Sequence, residues 1–292
     1  MMHFGALEAG GTKMVLSLMN ENGTMLERVS MPTLTPAETM PGMIDFFRER
    51  HIAALGIGCF GPLDLRPDSP TYGYITSTPK LPWRNYPIVG AFREALGVPV
   101  KLDTDVNGAA IAEQALGAAK GLGSCVYVTV GTGIGGGVVL DGKMLTGYTG
   151  AASELGHMVI RAGGEECTCG RRGCFEAYAS ATALIRETKR AMAAHPESRM
   201  HAATEENGAV DGRTAFIAAQ RGDAAAQAVV DRYLDDLACG VANIVNIFFP
   251  EVIALSGGVA NQGDALLVPL RERVRALSYG SRYAVRHTRI EL

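Results

Sequence analysis

The feature that most constrains the fold is a pattern of strand, glycine turn, strand and hairpin that occurs twice. The first copy runs from Ala6 to Leu26 and the second from Thr129 to Leu145. Each copy closes with Asn22-Gly23 or Asp141-Gly142, dipeptides that tolerate the positive φ of a two-residue loop. We therefore predict two related β-rich modules, each followed by helices, with their glycine turns facing each other across a cleft.

Local patterns place the regular elements of both modules. Thr35 and Glu38 form a capping-box pattern and Pro36 takes the first helical position, so we predict a helix from Pro36 to Arg50. The apolar spacing from Ala224 to Phe249 predicts a longer helix. Apolar runs predict strands at Phe4 to Leu7, Met14 to Met19, Met25 to Ser30, Ala53 to Cys59, Val98 to Leu102, Cys125 to Val130, Val138 to Leu140 and Glu251 to Leu255.

Chain length indicates the number of lobes, and net charge indicates which partners are disfavoured. The 292 residues exceed the size of about 100–200 that is usual for one domain, and we predict α/β lobes at residues 1–118 and 119–292. A net charge of −3 without a basic run does not favour nucleic acid or an anionic membrane as a partner. The sequence contains neither a leader pattern nor an apolar run of about 18 residues, so a cytoplasmic location is predicted.

Three glycine turns follow predicted strands, at Gly10 to Lys13, Gly131 to Gly137 and Ser256 to Gly258. Glycines at strand ends present backbone N–H groups to phosphate oxygens without side chains in the way. One such turn is equally well explained as a chain reversal, whereas three together favour phosphate binding. Glu8 is placed to help hold Mg²⁺ through water. The predicted nucleotide contacts are Gly10, Gly11, Thr12, Lys13, Gly131, Thr132, Gly133, Gly257 and Gly258.

One imidazole and three thiols fall within 18 residues, at His157, Cys167, Cys169 and Cys174. This donor set forms a closed tetrahedral zinc site with no open position for water, so the predicted Zn²⁺ is structural. The alternative is three buried thiols beside a surface histidine, which the spacing disfavours.

The run Asp103-Thr104-Asp105-Val106-Asn107 follows the predicted strand Val98 to Leu102 and opens a helix through Glu113. A carboxylate at the carboxyl end of a strand lies where α/β sheets bind their ligands, so Asp105 is a candidate general base. A helix cap is an equally supported interpretation of Asp105.

Taken together, these motifs resemble the ROK family of bacterial sugar kinases along nearly the whole chain. The zinc run, which follows Glu-x-Gly-His and continues into Cys174-Phe175-Glu176, is the most specific part of the resemblance. The motifs that match in order are Glu8 to Lys13, Asp105 to Asn107, Gly131 to Gly137, Glu154 to His157, Cys167 to Cys174 and Ser256 to Gly258.

The resemblance implies a two-lobed actin-like ATPase fold, of the ribonuclease H-like class, with a cleft between the lobes. It implies transfer of the γ-phosphoryl group from ATP, with Mg²⁺, to a hydroxyl of a hexose such as O6 of glucose or fructose, with Asp105 as the base. It also implies that His157 binds sugar while its other ring nitrogen holds zinc, and that the chain forms a homodimer or homotetramer. The implied sugar contacts are Gly61, Thr104, Asn107, Glu154, His157 and Glu176.

The resemblance differs between the two halves of the chain. Gly58 to Pro62 and Tyr72 to Lys80 resemble the fructokinase branch, and the chain from about Gly150 onward resembles the glucokinase branch. The preferred sugar therefore stays open at this point. The family pattern continues beyond a strand like Thr288 to Leu292 into a last helix, which this sequence does not contain.

Two alternatives lie outside catalysis: a sugar-responsive regulator of the same family, and a non-catalytic sugar-binding protein. Regulators carry an N-terminal helix-turn-helix domain, whereas the first strand here is predicted to start at Phe4. A protein that only binds sugar needs neither Asp105 nor three phosphate turns. Both alternatives are therefore less well supported than a kinase.

Overall fold

The computed structural model describes residues 2–78, 80–148, 150, 152–280 and 287–292. The chain forms two compact units. The first comprises Met1–Ala112 with Met144–Ala152, and the second comprises Glu113–Lys143 with Ser153–Leu292.

The first unit is built on a five-stranded mixed sheet with the order β3-β2-β1-β4-β5. Its antiparallel part is a meander of β1 (His3–Ala9), β2 (Lys13–Asn20) and β3 (Met25–Pro32). The strands β4 (Ala54–Cys59) and β5 (Val100–Thr104) then continue the sheet parallel to β1. The carboxyl ends of β1, β4 and β5 consequently meet at one edge of the sheet.

The first unit contains α1 (Pro36–Glu49) and α2 (Ile88–Leu96), and α3 (Asp105–Leu116) begins in the first unit and ends in the second. The predicted capping box of α1 is confirmed, because the Glu38 carboxylate accepts a hydrogen bond of 3.1 Å from the main-chain N–H of Thr35. Apolar side chains of α1 and α2 pack into one core with the sheet. Fully buried members of that core include Phe47, Phe92, Trp83, Leu16 and Ile75.

The second unit repeats the sheet topology of the first, with the order β10-β9-β6-β7-β8. Here β6 (Cys125–Val130) pairs antiparallel with β7 (Ile134–Leu140), and β8 (Lys143–Met144) lies at the edge. The strands β9 (Val252–Ser256) and β10 (Arg289–Glu291) extend the sheet parallel to β6. This shared order confirms the two related modules that the sequence predicts.

Most of the helical structure lies in the second unit, and α8 (Ala224–Phe248) confirms the long helix that the sequence predicts. The helix ends at Phe248 because Phe249 takes a left-handed conformation with φ of 43°. None of the helices in the described part of the chain has the length and apolar character needed to cross a membrane. The helices are α4 (Glu176–Ala179), α5 (Ala181–Ala194), α6 (Met200–Asn207), α7 (Thr214–Gln220), α8 (Ala224–Phe248) and α9 (Asp264–Leu277).

The predicted glycine turn from Gly131 to Gly137 is wrong in its second half. The strand β7 starts at Ile134, and Gly136 pairs with Val128 across the ladder. A Cβ on Gly136 would overlap the side chain of Leu155. The glycine therefore lets the turn that contains Leu155 pack directly on β7.

The predicted strand from Val98 to Leu102 is displaced by two residues. The ladder with β4 runs through Asp103 and Thr104, which pair with Gly58 and Cys59. Both residues are therefore the last of β5, and Asp105 is the first residue of α3.

Candidate active site

In the first unit, the predicted site residues gather at the carboxyl edge of the sheet. Ala9, Cys59 and Thr104 are in register on three neighbouring parallel strands. The glycine turn after β1, Gly61 after β4 and Asp105 after β5 therefore leave the sheet on the same side. This edge is where open α/β sheets place ligands.

The glycine turn at residues 10–13 is closed by a hydrogen bond of 3.0 Å from the N–H of Gly10 to the carbonyl of Lys13. A Cβ on Gly10 would lie only 2.6 Å from that carbonyl oxygen, which explains the glycine. Thr33 fixes the turn from the other side, because its hydroxyl donates to the Gly10 carbonyl at 2.7 Å and its N–H to the Thr12 carbonyl at 3.0 Å. The side chains of Thr12 and Lys13 are exposed.

The helix cap at this edge is supplied by Thr104. Its hydroxyl accepts a hydrogen bond of 3.1 Å from the main-chain N–H of Asn107, in the first turn of α3. Asp105 accepts from the N–H of Val106 at 2.9 Å. A Cβ on Gly58 would lie 3.3 Å from Asp105 Cα, so this glycine lets α3 begin close to β4. The capping function is thus met without Asp105.

The surroundings of Asp105 shift the pKa of its carboxyl upward. Desolvation raises the pKa of its carboxyl above the ordinary value, and the negative charge of Glu8 acts in the same direction. The hydrogen bond from Val106 opposes these effects without cancelling them. A carboxyl with a raised pKa is better matched to proton transfer near neutral pH.

Asn107, predicted as a sugar contact, lies beneath the surface with 1% exposure. Its Nδ2 donates to Asp103 Oδ1 at 2.7 Å, and the same oxygen accepts the N–H of Thr104 at 2.8 Å. The amide therefore holds Asp103 in place. Asn107 Oδ1 is buried and has no hydrogen-bond partner within the described chain.

In the second unit, the four predicted zinc ligands come together. The ligand atoms of His157, Cys167, Cys169 and Cys174 all lie within 4.8 Å of one another. His157 Nδ1 lies 3.7 Å from Cys167 Sγ, and Cys169 Sγ lies 3.7 Å from Cys174 Sγ. Tetrahedral thiolates at the usual Zn–S distance of about 2.3 Å are about 3.8 Å apart. The donor set and its spacing fit Zn²⁺.

Arg171 contributes to this cluster although no motif indicated it. Its main chain and guanidinium donate to Cys169 and lower the pKa of that thiol to about 6. The guanidinium also donates to the main-chain carbonyl of His157 at 3.0 Å. Arg171 therefore stabilises the thiolate form of one ligand while it positions the segment that carries another.

The Glu154 to His157 motif forms a tight turn against β7. The 3-10 turn spans Leu155–His157, and Glu154 before it is exposed. A Cβ on Gly156 would overlap the carbonyl oxygen of Ile134, so only glycine allows this approach. The turn holds His157 beside the cysteines and leaves Glu154 facing solvent.

Glu176 joins the zinc loop to the second glycine turn. Its Oε2 accepts the N–H of Ile134 at 2.9 Å, and its Oε1 accepts the hydroxyl of Thr168 at 3.2 Å. A Cβ on Gly133 would overlap Glu176 Oε2. A predicted nucleotide contact and a predicted sugar contact therefore touch each other directly.

The two glycine turns of the second unit are neighbours. Gly257, with φ of 91°, packs against the backbone of Val130, where a Cβ would lie 2.5 to 2.7 Å from main-chain atoms. Val130 directly precedes the other turn, whose carbonyls at Gly131 and Thr132 accept from the N–H of Ala181 at 2.8 Å and the hydroxyl of Thr182 at 2.7 Å. The start of α5 thus fixes the turn.

Sequence patterns did not identify Thr168, Arg171 and Thr182. Each residue contacts a partner that the tertiary structure brings close. None of the three matches a sequence motif for metal ligands or nucleophiles. Arg171 carried a weak signal, because it lies between two of the cysteines.

The chain is similar to a known protein family and to curated proteins. The model of the ROK family matches residues 4–287. A glucokinase of Thermotoga maritima is 35% identical over 279 residues, which cover 92% of this chain and 86% of that protein. A fructokinase of Zymomonas mobilis is 45% identical over 200 residues, which cover 65% of this chain and 66% of that protein. The chain thus aligns with slightly less than two thirds of the Zymomonas protein.

The structure of a ROK family glucokinase from Streptomyces griseus in complex with glucose and AMPPNP superposes with a TM-score of 0.80. The two chains are 28% identical, and the match covers 99% of this chain and 94% of the other. The likeness confirms the predicted actin-like ATPase fold, in which each half contains a mixed sheet with helices.

Proposed function

The chain belongs to the ROK family and is a sugar kinase, and we propose that it transfers the γ-phosphoryl group of ATP to a hydroxyl of glucose or fructose, with O6 as the acceptor. The relatives named glucokinase and fructokinase support a hexose as the substrate. The glucose and AMPPNP in the Streptomyces griseus complex support the pairing of a hexose with ATP.

The observation that carries the proposal is the arrangement at the carboxyl edge of the first sheet. The strand β4 lies between β1, which the glycine turn follows, and β5, which Asp105 follows. The pKa of Asp105 is raised. The base would accept the proton of the attacking hydroxyl, an effect typically worth about 10²–10⁴-fold in rate. Phosphoryl transfer otherwise depends on alignment and charge stabilisation, for which the turn is suited.

We assign nucleotide binding to the three glycine turns and sugar binding to six further residues. The exposed hydroxyl of Thr12 and ammonium of Lys13 would donate to phosphate oxygens, and Glu8 would hold Mg²⁺ through water. Mg²⁺ held there would supply positive charge that neutralises the charge developing on the phosphates. The assigned sugar contacts are Gly61, Thr104, Asn107, Glu154, His157 and Glu176.

His157, Cys167, Cys169 and Cys174 would hold a structural Zn²⁺, which supplies rigidity to the loop. With one ring nitrogen of His157 held by the metal, its other nitrogen would be left to bind a sugar hydroxyl. Glu176 then links this loop to the turn at residues 131–133 through Ile134. The residues that bind sugar and the turn that binds phosphate would therefore be held together by Glu176.

A coupled assay of ATP consumption tests the function. Purified protein with Mg²⁺ and zinc is assayed against glucose, fructose, mannose and N-acetylated hexoses. A preference for fructose assigns specificity to the first half of the chain, and a preference for glucose assigns it to the zinc-bearing half. Sugar binding without turnover would favour the regulator or the non-catalytic sugar-binding protein and refute the kinase.

Assembly and location are part of the same proposal. We expect a homodimer or homotetramer in the cytoplasm. Sedimentation equilibrium of the purified chain distinguishes these assemblies from a monomer of 30.8 kDa.

A further inference from the structure

We propose that Lys80 is a phosphate-contacting residue of the first unit, an inference that rests on the proposed phosphoryl transfer. Its side chain crosses the glycine turn at residues 10–13. Lys80 Cε lies 3.1 Å from the position that a Cβ on Gly11 would occupy. The stem of the lysine thus packs on the turn, and its ammonium lies one bond beyond the contact.

The backbone of Lys80 is fixed by two buried residues. Its N–H donates to the hydroxyl of Thr78 at 3.3 Å, and its carbonyl accepts the N–H of Trp83 at 2.9 Å. Thr78 is 0% exposed and Trp83 is 1% exposed. The lysine is therefore anchored at its Cα, and only the side chain retains freedom.

The anchor leads back to the turn that Lys80 crosses. The indole N–H of Trp83 donates to the carbonyl of Leu34 at 2.7 Å. The preceding residue, Thr33, donates its hydroxyl to the Gly10 carbonyl and its N–H to the Thr12 carbonyl. Hydrogen bonds thus connect the glycine turn to Thr33, Leu34 to Trp83, and Trp83 to Lys80. This series of contacts holds the backbone of Lys80 near the turn.

The ammonium of Lys80 has no ionic partner in the part of the chain that the structure describes. Lys80 forms no salt bridge with any described carboxylate, although it is half-buried. Lys13 supplies a second ammonium at the same turn. Two cations at a glycine turn, close to the edge that carries Asp105, match the charge of a polyphosphate.

The Lys80 ammonium would contact the phosphoryl group while it is being transferred. The ammonium donates hydrogen bonds to its oxygens and stabilises the charge that develops there while Asp105 takes the hydroxyl proton. Loss of one such donor typically lowers kcat by about 10²–10³-fold. The residue would leave the adenosine end of the nucleotide untouched.

The test compares Lys80→Met and Lys80→Arg with Lys101→Met, a matched charge loss at an exposed position of β5. Titrations with AMPPNP and with AMP measure binding, and kcat is measured with the preferred hexose. We expect Lys80→Met to lower kcat about 10²-fold and AMPPNP affinity about tenfold while AMP affinity and hexose KM stay unchanged. Lys80→Arg should recover part of the loss.

Several outcomes would overturn the assignment. Lys80→Met behaving like Lys101→Met in both kcat and AMPPNP affinity removes the phosphate contact. Equal losses for AMP and AMPPNP, together with a lower Tm, indicate a structural role instead. A wild-type protein that phosphorylates no hexose refutes the proposed function separately, because the AMPPNP titrations still measure the contact of Lys80.

Discussion

The carboxylate of Glu176 accepts the main-chain N–H of Ile134 at 2.9 Å and thereby joins the cysteine-rich loop to the first residue of β7. The two residues are 42 positions apart in the chain. The same carboxylate lies against Gly133, so the glycine turn and the loop are in direct contact. This relationship makes the Glu176 side chain a structural link, in addition to its proposed role as a sugar contact.

Glu176→Gln should weaken this link. The neutral amide keeps one acceptor oxygen, so one of Ile134 and Thr168 loses its acceptor and the other donates to an uncharged oxygen. Hydrogen bonds to charged groups contribute about 1.5–3 kcal/mol. We expect a loss of that size in the free energy of unfolding, measured by urea denaturation, and a raised hexose KM.

The control is Glu166→Gln in the same loop, where the side chain is 82% exposed and paired with Arg172 at the surface. Its stability should change by less than about 0.5 kcal/mol. Equal stability of the two variants contradicts a linking role for Glu176.

Asp105→Asn should fold and bind hexose while kcat falls by about 10²–10⁴-fold, because the base is lost. In the wild-type protein, the acid limb of the plot of kcat against pH should reflect a pKa above the ordinary value of about 3.9 for aspartate. Near-normal turnover of Asp105→Asn would remove its assignment as the base.

The stability of Asp105→Asn should differ from wild type in a pH-dependent way. The raised folded-state pKa means that the native protein binds more protons than the unfolded chain at intermediate pH. The ionised carboxylate is thus unfavourable in the fold at neutral pH, and that cost disappears below the unfolded pKa. Urea denaturation should show Asp105→Asn more stable than wild type at pH 7. Asp103→Asn, which weakens the contact with Asn107, should be less stable.

Zinc removal should lower thermal stability and hexose affinity together, because the loop that carries His157 and Glu176 loses its organising metal. Elemental analysis should find about one zinc per chain. Cys167→Ser should lose the metal, whereas Cys239→Ser on α8 should retain it. A chelator that leaves Tm and hexose affinity unchanged refutes the zinc site.

Asp64 provides a pH-dependent contribution to stability. Arg66, Ser69 and Thr71 donate hydrogen bonds to its carboxylate, which is 5% exposed, and they hold its pKa well below the usual range. The stabilisation is fully present above the unfolded pKa of about 3.9 and is lost as the pH falls toward the folded pKa.

Asp64→Asn should therefore be less stable than wild type in urea denaturation at pH 7, with a smaller difference at pH 3. The exposed Asp68 of the same loop is the matched control, and Asp68→Asn should unfold like wild type at both pH values. A destabilisation of Asp64→Asn that is independent of pH would contradict an ionic origin.

The local sequence predicted the elements well where short-range chemistry decides them. The hairpins at Asn22-Gly23 and Asp141-Gly142, the capping box at Thr35 and the repeated strand pattern all depend on neighbouring residues. The sequence predicted Gly135 to Gly137 as a turn because glycine is usually a turn residue. The fold uses these glycines in a strand, where Leu155 needs the space.

The amino-acid sequence by itself determined the duplicated β pattern and the four clustered metal-ligand candidates, because backbone propensities and ligand spacing act over a few residues. Only the tertiary structure decided that Glu8 lies close enough to raise the pKa of Asp105, and that Lys80 crosses Gly11. These relationships join segments far apart in the chain. They depend on strand register and side-chain packing, which no local pattern specifies.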